Sequence, residues 1–145
     1  MMFVSQKKEG RLTLIYLDNG ATSRTDPEVI AVMAEVMKDV FANPSSLHRL
    51  GGKAERLVKQ AREIMASLLE VTANEIYFTS GGTEANNLAI KGIAFAYKQR
   101  GRHLITTQIE HPSVYEVCQQ LEEWGWDITY VSVDGQGRVN PDDIE

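Results

Sequence analysis

One cysteine, four prolines and two tryptophans are spread over 145 residues. A single thiol, Cys118, cannot form a disulfide within the chain. That excludes a disulfide-stapled scaffold and suits a reducing compartment, with the cytoplasm as the expected location. Positive charge is also short: 15 basic against 20 acidic residues leave a net charge of −5, the wrong sign for a surface devoted to nucleic acid. Every apolar run is broken by charge before it reaches membrane-spanning length, so no bilayer span is expected. The stretch Leu12–Leu17 follows basic residues, but it is short and runs straight into Asp18, which argues against a cleaved signal peptide. Internal repeats and low-complexity segments are missing too. What is present, 43% hydrophobic and 24% charged residues, is the composition of a folded globular chain. The length is enough to bury one real core without staples.

Met1–Arg11 reads as a frayed polar leader, followed by the β-prone run Leu14–Leu17 that stops at the turn signal Asp18-Asn19-Gly20. Asp26-Pro27 has the form of a helix cap with proline at the first helical position. Val29, Met33, Val36, Met37 and Val40 recur at helical spacing behind it, predicting a helix over 27–41. Asn43-Pro44-Ser45-Ser46 breaks the pattern and Gly51-Gly52 is expected to prolong the break. A second amphipathic helix follows, with Ala54, Leu57, Val58, Ala61, Ile64, Met65, Leu68 and Leu69 on one face and charge on the other. From Glu75 the rhythm changes. Ile76–Thr79 is a candidate buried strand, 84–98 a helix, His103–Thr107 a strand, and Val114, Val117, Cys118 and Leu121 mark one face of a further helix before a strand over 128–133. Helices alternating with short β-branched strands point to βαβ crossovers and a parallel sheet, hence an α/β fold. Asn140-Pro141-Asp142-Asp143 has the chemistry of another helix start, yet only Ile144 and Glu145 follow. Either the tail is a frayed acidic end or the chain is the front of something longer; truncation is the favoured expectation.

The richest stretch is Phe78–Asn87, where a strand candidate ends, Gly81 and Gly82 allow a tight turn, and a helix begins near Thr83. Free N–H groups and the positive end of a helix dipole would then meet at one spot, an arrangement suited to a phosphate dianion. No Lys-Ser or Lys-Thr follows the glycines, which excludes a nucleotide P-loop, and the third glycine of a dinucleotide fingerprint is missing. A plain glycine-rich turn capped by Thr83 fits equally well at this point. His111 lies just past the end of the second predicted strand, on the sheet edge where open parallel sheets bind ligands. Pro112 stiffens the chain behind it. The imidazole there suits stacking on a flat ring or proton transfer near neutral pH, although loop histidines are often no more than surface residues. Asp18–Thr22 and Asn43–His48 are donor-rich loops whose default reading is turn chemistry. Cys118 shares the apolar face of its helix and reads as a small buried hydrophobe rather than a nucleophile. His48, His103 and His111 have no companion at metal-ligand spacing, so no metal site is expected.

Four segments then fall in order: YLDNGAT at 16–22, NPSSLH at 43–48, SGGTEANN at 80–87 and EHPSV at 110–114. Together they resemble the cysteine desulfurases, pyridoxal 5′-phosphate enzymes of the class V aminotransferase group, from Tyr16 to the last residue. The resemblance implies the N-terminal part of an aspartate-aminotransferase-like (fold type I) large domain, incomplete, with a parallel-rich sheet and flanking helices. It also implies a division into a leader (1–15), an N-terminal arm with a helical segment (16–70) and the start of the cofactor-binding α/β domain (71–145). Gly81, Gly82 and Thr83 would hold the cofactor phosphate. His111 would stack on its ring and assist proton transfer. Asn19, Ala21 and Thr22 resemble the segment near the substrate, and 43–48 a loop close to the active site. Gly20 stands where the family usually has alanine, a change that loosens the turn without removing a functional group.

The activity implied is conversion of L-cysteine to L-alanine, leaving a persulfide for iron–sulfur clusters or thio-modification through a sulfur-acceptor or scaffold protein. The enzyme would be a homodimer when full length. The family's Schiff-base lysine, its aspartate for the ring nitrogen and its nucleophilic cysteine are expected beyond Glu145, so this chain alone should not turn over. Lys53, Lys59 and Lys91 lie on helix faces that do not serve in their place. Two other readings stay open: another class V enzyme such as a selenocysteine lyase, or a short non-catalytic protein that binds a phosphate ligand or a partner.

Overall fold

A computed structural model describes residues 3–8 and 11–144, with the backbone alone for residues 3–8 and 11–14. By its contacts the chain divides into two units, Met1–Ile76 and Tyr77–Glu145.

The second unit carries a βαβ element. Strand β3 (His103–Thr107) leads into helix α4 (Pro112–Glu123), which returns the chain to strand β4 (Asp127–Val131). β3 and β4 pair in parallel with His103 opposite Asp127 and Thr107 opposite Val131, as the alternating pattern anticipates. The strand expected over 128–133 thus starts one residue earlier and stops two earlier. Helix α3 (Gly82–Tyr97) packs on α4, and α4 packs on both strands. The core sits at that junction: Ala94 from α3, Val117, Cys118 and Leu121 from α4, and Ile128 from β4, with Ile90, Leu104, Val114 and Trp126 around them. Cys118 and Leu121 are fully buried, so the apolar face read from the sequence is the face that packs. The acidic tail ends in a single 3-10 turn, Pro141–Asp143, with the Asn140 carboxamide accepting from Asp142 N.

One expected strand does not form. Ile76–Thr79 is not part of a ladder, and Tyr77 and Phe78 are more than half exposed at 73% and 53%. Strands need a neighbour to hydrogen-bond, and among the described residues the parallel ladder holds only β3 and β4.

In the first unit, β1 (Phe3–Lys8) and β2 (Arg11–Tyr16) form an antiparallel hairpin, Phe3 opposite Tyr16. Residues 3–8, read from sequence as a polar leader, are therefore a strand, drawn into pairing by the β-prone run that follows. Helix α1 (Pro27–Asp39) starts where its cap chemistry puts it: Asp26 Oδ1 accepts from Glu28 N at 2.8 Å and Pro27 opens the helix. Helix α2 (Arg49–Leu68) begins earlier than expected, with Gly51 and Gly52 inside its first turn. The reason is a close approach. A Cβ on Gly51 would lie 2.8 Å from the Ser46 carbonyl carbon, so glycine lets the helix start against the preceding loop instead of delaying it. Below α2, Thr72 and Glu75 cap a 3-10 turn reciprocally, and Arg62 Nη1 donates to the Ile76 carbonyl.

Candidate functional site

Helix α3 enters the site without a side-chain cap. Its N-cap is Gly81, in extended backbone, and Thr83 is the second helical residue, so the expectation that Thr83 caps the helix is corrected. The loop is held from the other direction. Glu84 reaches back so that one carboxylate oxygen accepts from Ser80 N at 2.6 Å and from Ser80 Oγ at 2.7 Å. Those two bonds hold its carboxyl below the usual glutamate range. Thr79 Oγ1 donates to the Gly81 carbonyl at 3.2 Å, fixing the residue before the turn. The first N–H groups of α3 are left with no cap side chain and no intrahelical acceptor. A Cβ placed on Gly81 or Gly82 would meet nothing within 4 Å, so the backbone here faces open space.

His111 is the N-cap of α4. Its Nδ1 accepts from Ser113 N at 3.1 Å and lies 2.8 Å from Ser113 Oγ, while the ring itself is exposed. Asn86, one turn into α3, donates through Nδ2 to Ser113 Oγ at 2.8 Å. The exit from β3 and the glycine turn that starts α3 are thereby tied together, and Thr83 and Ser113 line one cavity of about 170 Å³ between α3 and α4. Gly81, Gly82, Thr83 and His111 thus sit at the N-terminal ends of two packed helices, on one edge of the unit. Asn86 and Ser113 received no role from the sequence. They are 27 residues apart, and no local pattern announces a contact over that separation.

Asn19, Ala21 and Thr22 belong to the other unit. There the Asp18 carbonyl accepts from Ala21 N at 3.1 Å and Thr22 N at 3.3 Å, and Asn19 Nδ2 donates to the Tyr16 carbonyl. Thr22 lines a cavity of about 480 Å³ with Tyr16, Ser23 and Arg24. In the 43–48 loop, Asn43 Oδ1 accepts from Ser45 N, and His48 Nδ1 caps α2 by accepting from Gly51 N at 3.2 Å. Cys118 is fully buried, and burial pushes its thiol up from the ordinary value, as expected of a core residue. Lys91 turns its ammonium over the Trp124 ring, 5.7 Å from the centroid. Among the described residues no three His, Cys, Asp or Glu side chains cluster as a metal site, and no helix is long and apolar enough to cross a membrane.

The class-V aminotransferase family profile matches residues 15–145, nearly the whole chain. The chain belongs to that family. Class-V aminotransferase relatives include a "NifS/IcsS protein homolog" of Lactobacillus delbrueckii subsp. bulgaricus, 46% identical over 132 residues, 91% of this chain and 34% of that one. A cysteine desulfurase of Trichormus azollae is 46% identical over 134 residues, 92% of this chain and 33% of the relative. Among solved structures, a NifS-like protein superposes with a TM-score of 0.81 at 37% identity, over 87% of this chain and 35% of the other. One titled "SspA in complex with cysteine" gives 0.70 at 45% identity, over 76% and 32%. The chain therefore spans about a third of the length of the relatives it matches. Its parallel β3–β4 pair with packed helices agrees with the α/β class and with the N-terminal part of the fold type I domain expected from the motifs.

The residues present fit the family's cofactor. An uncapped helix start beside two glycines that open onto free space suits a phosphate, since main-chain N–H groups can approach it with no Cβ in the way. An exposed imidazole held at one nitrogen by the adjacent helix suits a flat ring laid against it.

Proposed function

We propose that this class-V aminotransferase chain supplies the phosphate cradle and the ring-facing imidazole of a pyridoxal-phosphate-dependent cysteine desulfurase. The observation that carries the reading is the junction of α3 and α4, where the helix that starts at the open Gly81–Gly82 turn is hydrogen-bonded from Asn86 through Ser113 to His111. The names of the relatives support the choice of reaction. Pyridoxal phosphate, when bound, supplies an electron sink for chemistry at the amino-bearing carbon of the substrate.

The remaining work falls to protein groups. Main-chain N–H groups of Gly82 and Thr83 would hold the phosphate, with the α3 dipole adding positive potential. His111 would lie against the cofactor ring, and its Nε2 would be the nitrogen available to move a proton, since Nδ1 is already engaged as an acceptor. Asn19, Ala21 and Thr22 border the substrate's entrance. In the full enzyme the substrate is L-cysteine. Its C–S bond breaks as an S–S bond forms to a protein thiol. The sulfur is oxidised to the persulfide level while the β-carbon is reduced, its C–S bond replaced by a C–H bond that takes up the proton the thiol releases, so L-alanine leaves without any outside oxidant or reductant. The persulfide sulfur then passes to an acceptor or scaffold protein for iron–sulfur clusters or thio-modification, in a cytoplasmic homodimer.

Alanine formation from L-cysteine by the full-length enzyme is the direct test, together with pyridoxal phosphate titrations of wild type and His111→Gln. The expected results are stoichiometric alanine and persulfide, and weaker cofactor binding in the variant. Product from selenocysteine alone would overturn the assigned substrate.

A further inference from the structure

Resting on the reading that His111 faces the cofactor ring, we propose that Ser113 and Asn86 are positioning residues that fix its tautomer and hold its plane. The backbone N–H of Ser113 can only donate, so at 3.1 Å it requires a lone pair on His111 Nδ1. In the neutral ring the proton then resides on Nε2. The hydroxyl of the same residue lies 2.8 Å from the same nitrogen. Its oxygen is already taken by the Asn86 amide N–H at 2.8 Å, which leaves the hydroxyl proton to turn toward Nδ1.

The result is a directed chain from α3: Asn86 N–H to Ser113 Oγ, and Ser113 O–H to His111 Nδ1. Ser113 is the only buried polar residue among the described ones, at 6% exposure, whereas the His111 ring is exposed. A solvent-facing imidazole would otherwise sample several orientations and both tautomers. A buried hydroxyl anchored on a neighbouring helix removes that freedom. Because Asn86 lies in the first turns of the helix that starts at Gly82, the same bond sets the imidazole's position relative to the phosphate-type turn.

The test reads nitrogen chemical shifts and one-bond couplings of the histidine rings in the uniformly ¹⁵N-labelled full chain, without cofactor. Among the three histidines, His111 is identified by the signals lost in His111→Gln. Wild type should show His111 as the Nε2–H form. Ser113→Ala removes one neutral hydrogen bond to Nδ1 and should shift the ratio of the two tautomers about fivefold toward Nδ1–H. Ser113→Thr, which keeps the hydroxyl, should restore the wild-type ratio. An unchanged ratio in Ser113→Ala, or no restoration by threonine, overturns the proposal. If Ser113→Ala fails to fold, Asn86→Asp decides: an acceptor at that position draws the hydroxyl proton away from Nδ1, so the ratio must shift, and a constant ratio refutes the chain. These readouts are independent of the cofactor. A normal tautomer response with no loss of pyridoxal phosphate affinity in His111→Gln would sink the ring-facing reading and leave the hydrogen-bond chain standing.

Discussion

Replacing glycine by alanine at two helix starts should give opposite results, and the pair tests the site's central premise. At Gly82 the added Cβ meets no atom within 4 Å, and the residue already has helical backbone. With no clash to offset it, the lost freedom of the unfolded chain should raise stability by about 0.4–1 kcal/mol. For a chain of this size that is a rise in Tm of about 1–4 °C. At Gly51 the same Cβ would stand 2.8 Å from the Ser46 carbonyl carbon and Cβ, against backbone that cannot swing aside. Overpacking of that kind costs about 1–3 kcal/mol, more than the roughly 1 kcal/mol that alanine gains in helix propensity. Gly51→Ala should therefore lower Tm.

On the proposed reading the cofactor phosphate lies against Gly82. Gly82→Ala should then weaken pyridoxal 5′-phosphate at least about tenfold, the value of one charge-assisted hydrogen bond, while leaving unphosphorylated pyridoxal nearly unaffected. Calorimetric melting and parallel titrations with the two vitamers check both halves. A stability loss at Gly82 would refute the packing argument. Equal weakening of both vitamers would refute the phosphate's place at this turn.

Three further outcomes follow from individual groups. The Glu84 carboxyl is held below its ordinary value of about 4.3 by the Ser80 N–H and hydroxyl, so its contribution to the turn is present above that pH and lost as pH falls through the lower, folded value. Glu84→Gln should flatten the acid limb of stability, measured by urea unfolding between about pH 5 and 3; an unchanged limb would mean the bonds to Ser80 carry nothing. Cys118, fully buried with its thiol pushed up by burial, should react with a thiol reagent at pH 8 only as fast as the core opens, and urea should accelerate it; rapid labelling in the native state would contradict the core placement. The Tyr130 hydroxyl is buried with no hydrogen-bond partner among the described residues, so Tyr130→Phe should be neutral or raise stability by about 1 kcal/mol, and a loss of that size in urea titration would reveal a missed acceptor.

The elements that could be read from sequence are those whose reasons are local. Asp26-Pro27 and His111-Pro112 carry their own cap chemistry, and both helices start there. The face Val114, Val117, Cys118 and Leu121 is periodic and packs as a unit. The glycine turn at 81–82 is legible for the same reason, although its cap is not: Gly81 rather than Thr83 stands at the N-cap, and Glu84 holds Ser80 from inside the helix. What escaped depends on partners distant in the chain or on space. Ile76–Thr79 has strand composition, but a ladder requires a neighbour that composition cannot supply. Gly51-Gly52 reads as a break because the reason for glycine, the Ser46 backbone pressed against the helix, is tertiary. The Asn86–Ser113 bond joins two motifs that each look complete alone.

The way the turn's donors are allotted bears on how an anion would bind. Glu84 is a carboxylate beside the proposed phosphate position, and two like charges in one spot would repel. The structure resolves the conflict by direction. Both bonds to Ser80 draw the carboxylate back to the residue before the glycines, which leaves the N–H groups of the first helical turn free of it. The same bonds fix the turn before any ligand arrives, so phosphate binding need not order the loop. Breaking them with Glu84→Gln should therefore act in two opposing ways on pyridoxal phosphate: less repulsion, and a looser cradle. If repulsion dominates, the variant binds more tightly at low salt and the gain fades as salt rises, because screening removes only the electrostatic part. If ordering dominates, the variant binds more weakly by a factor that added salt leaves nearly unchanged. The short contacts of 2.6 and 2.7 Å to a single oxygen favour the second outcome, since a carboxylate held that closely is already turned away from the phosphate.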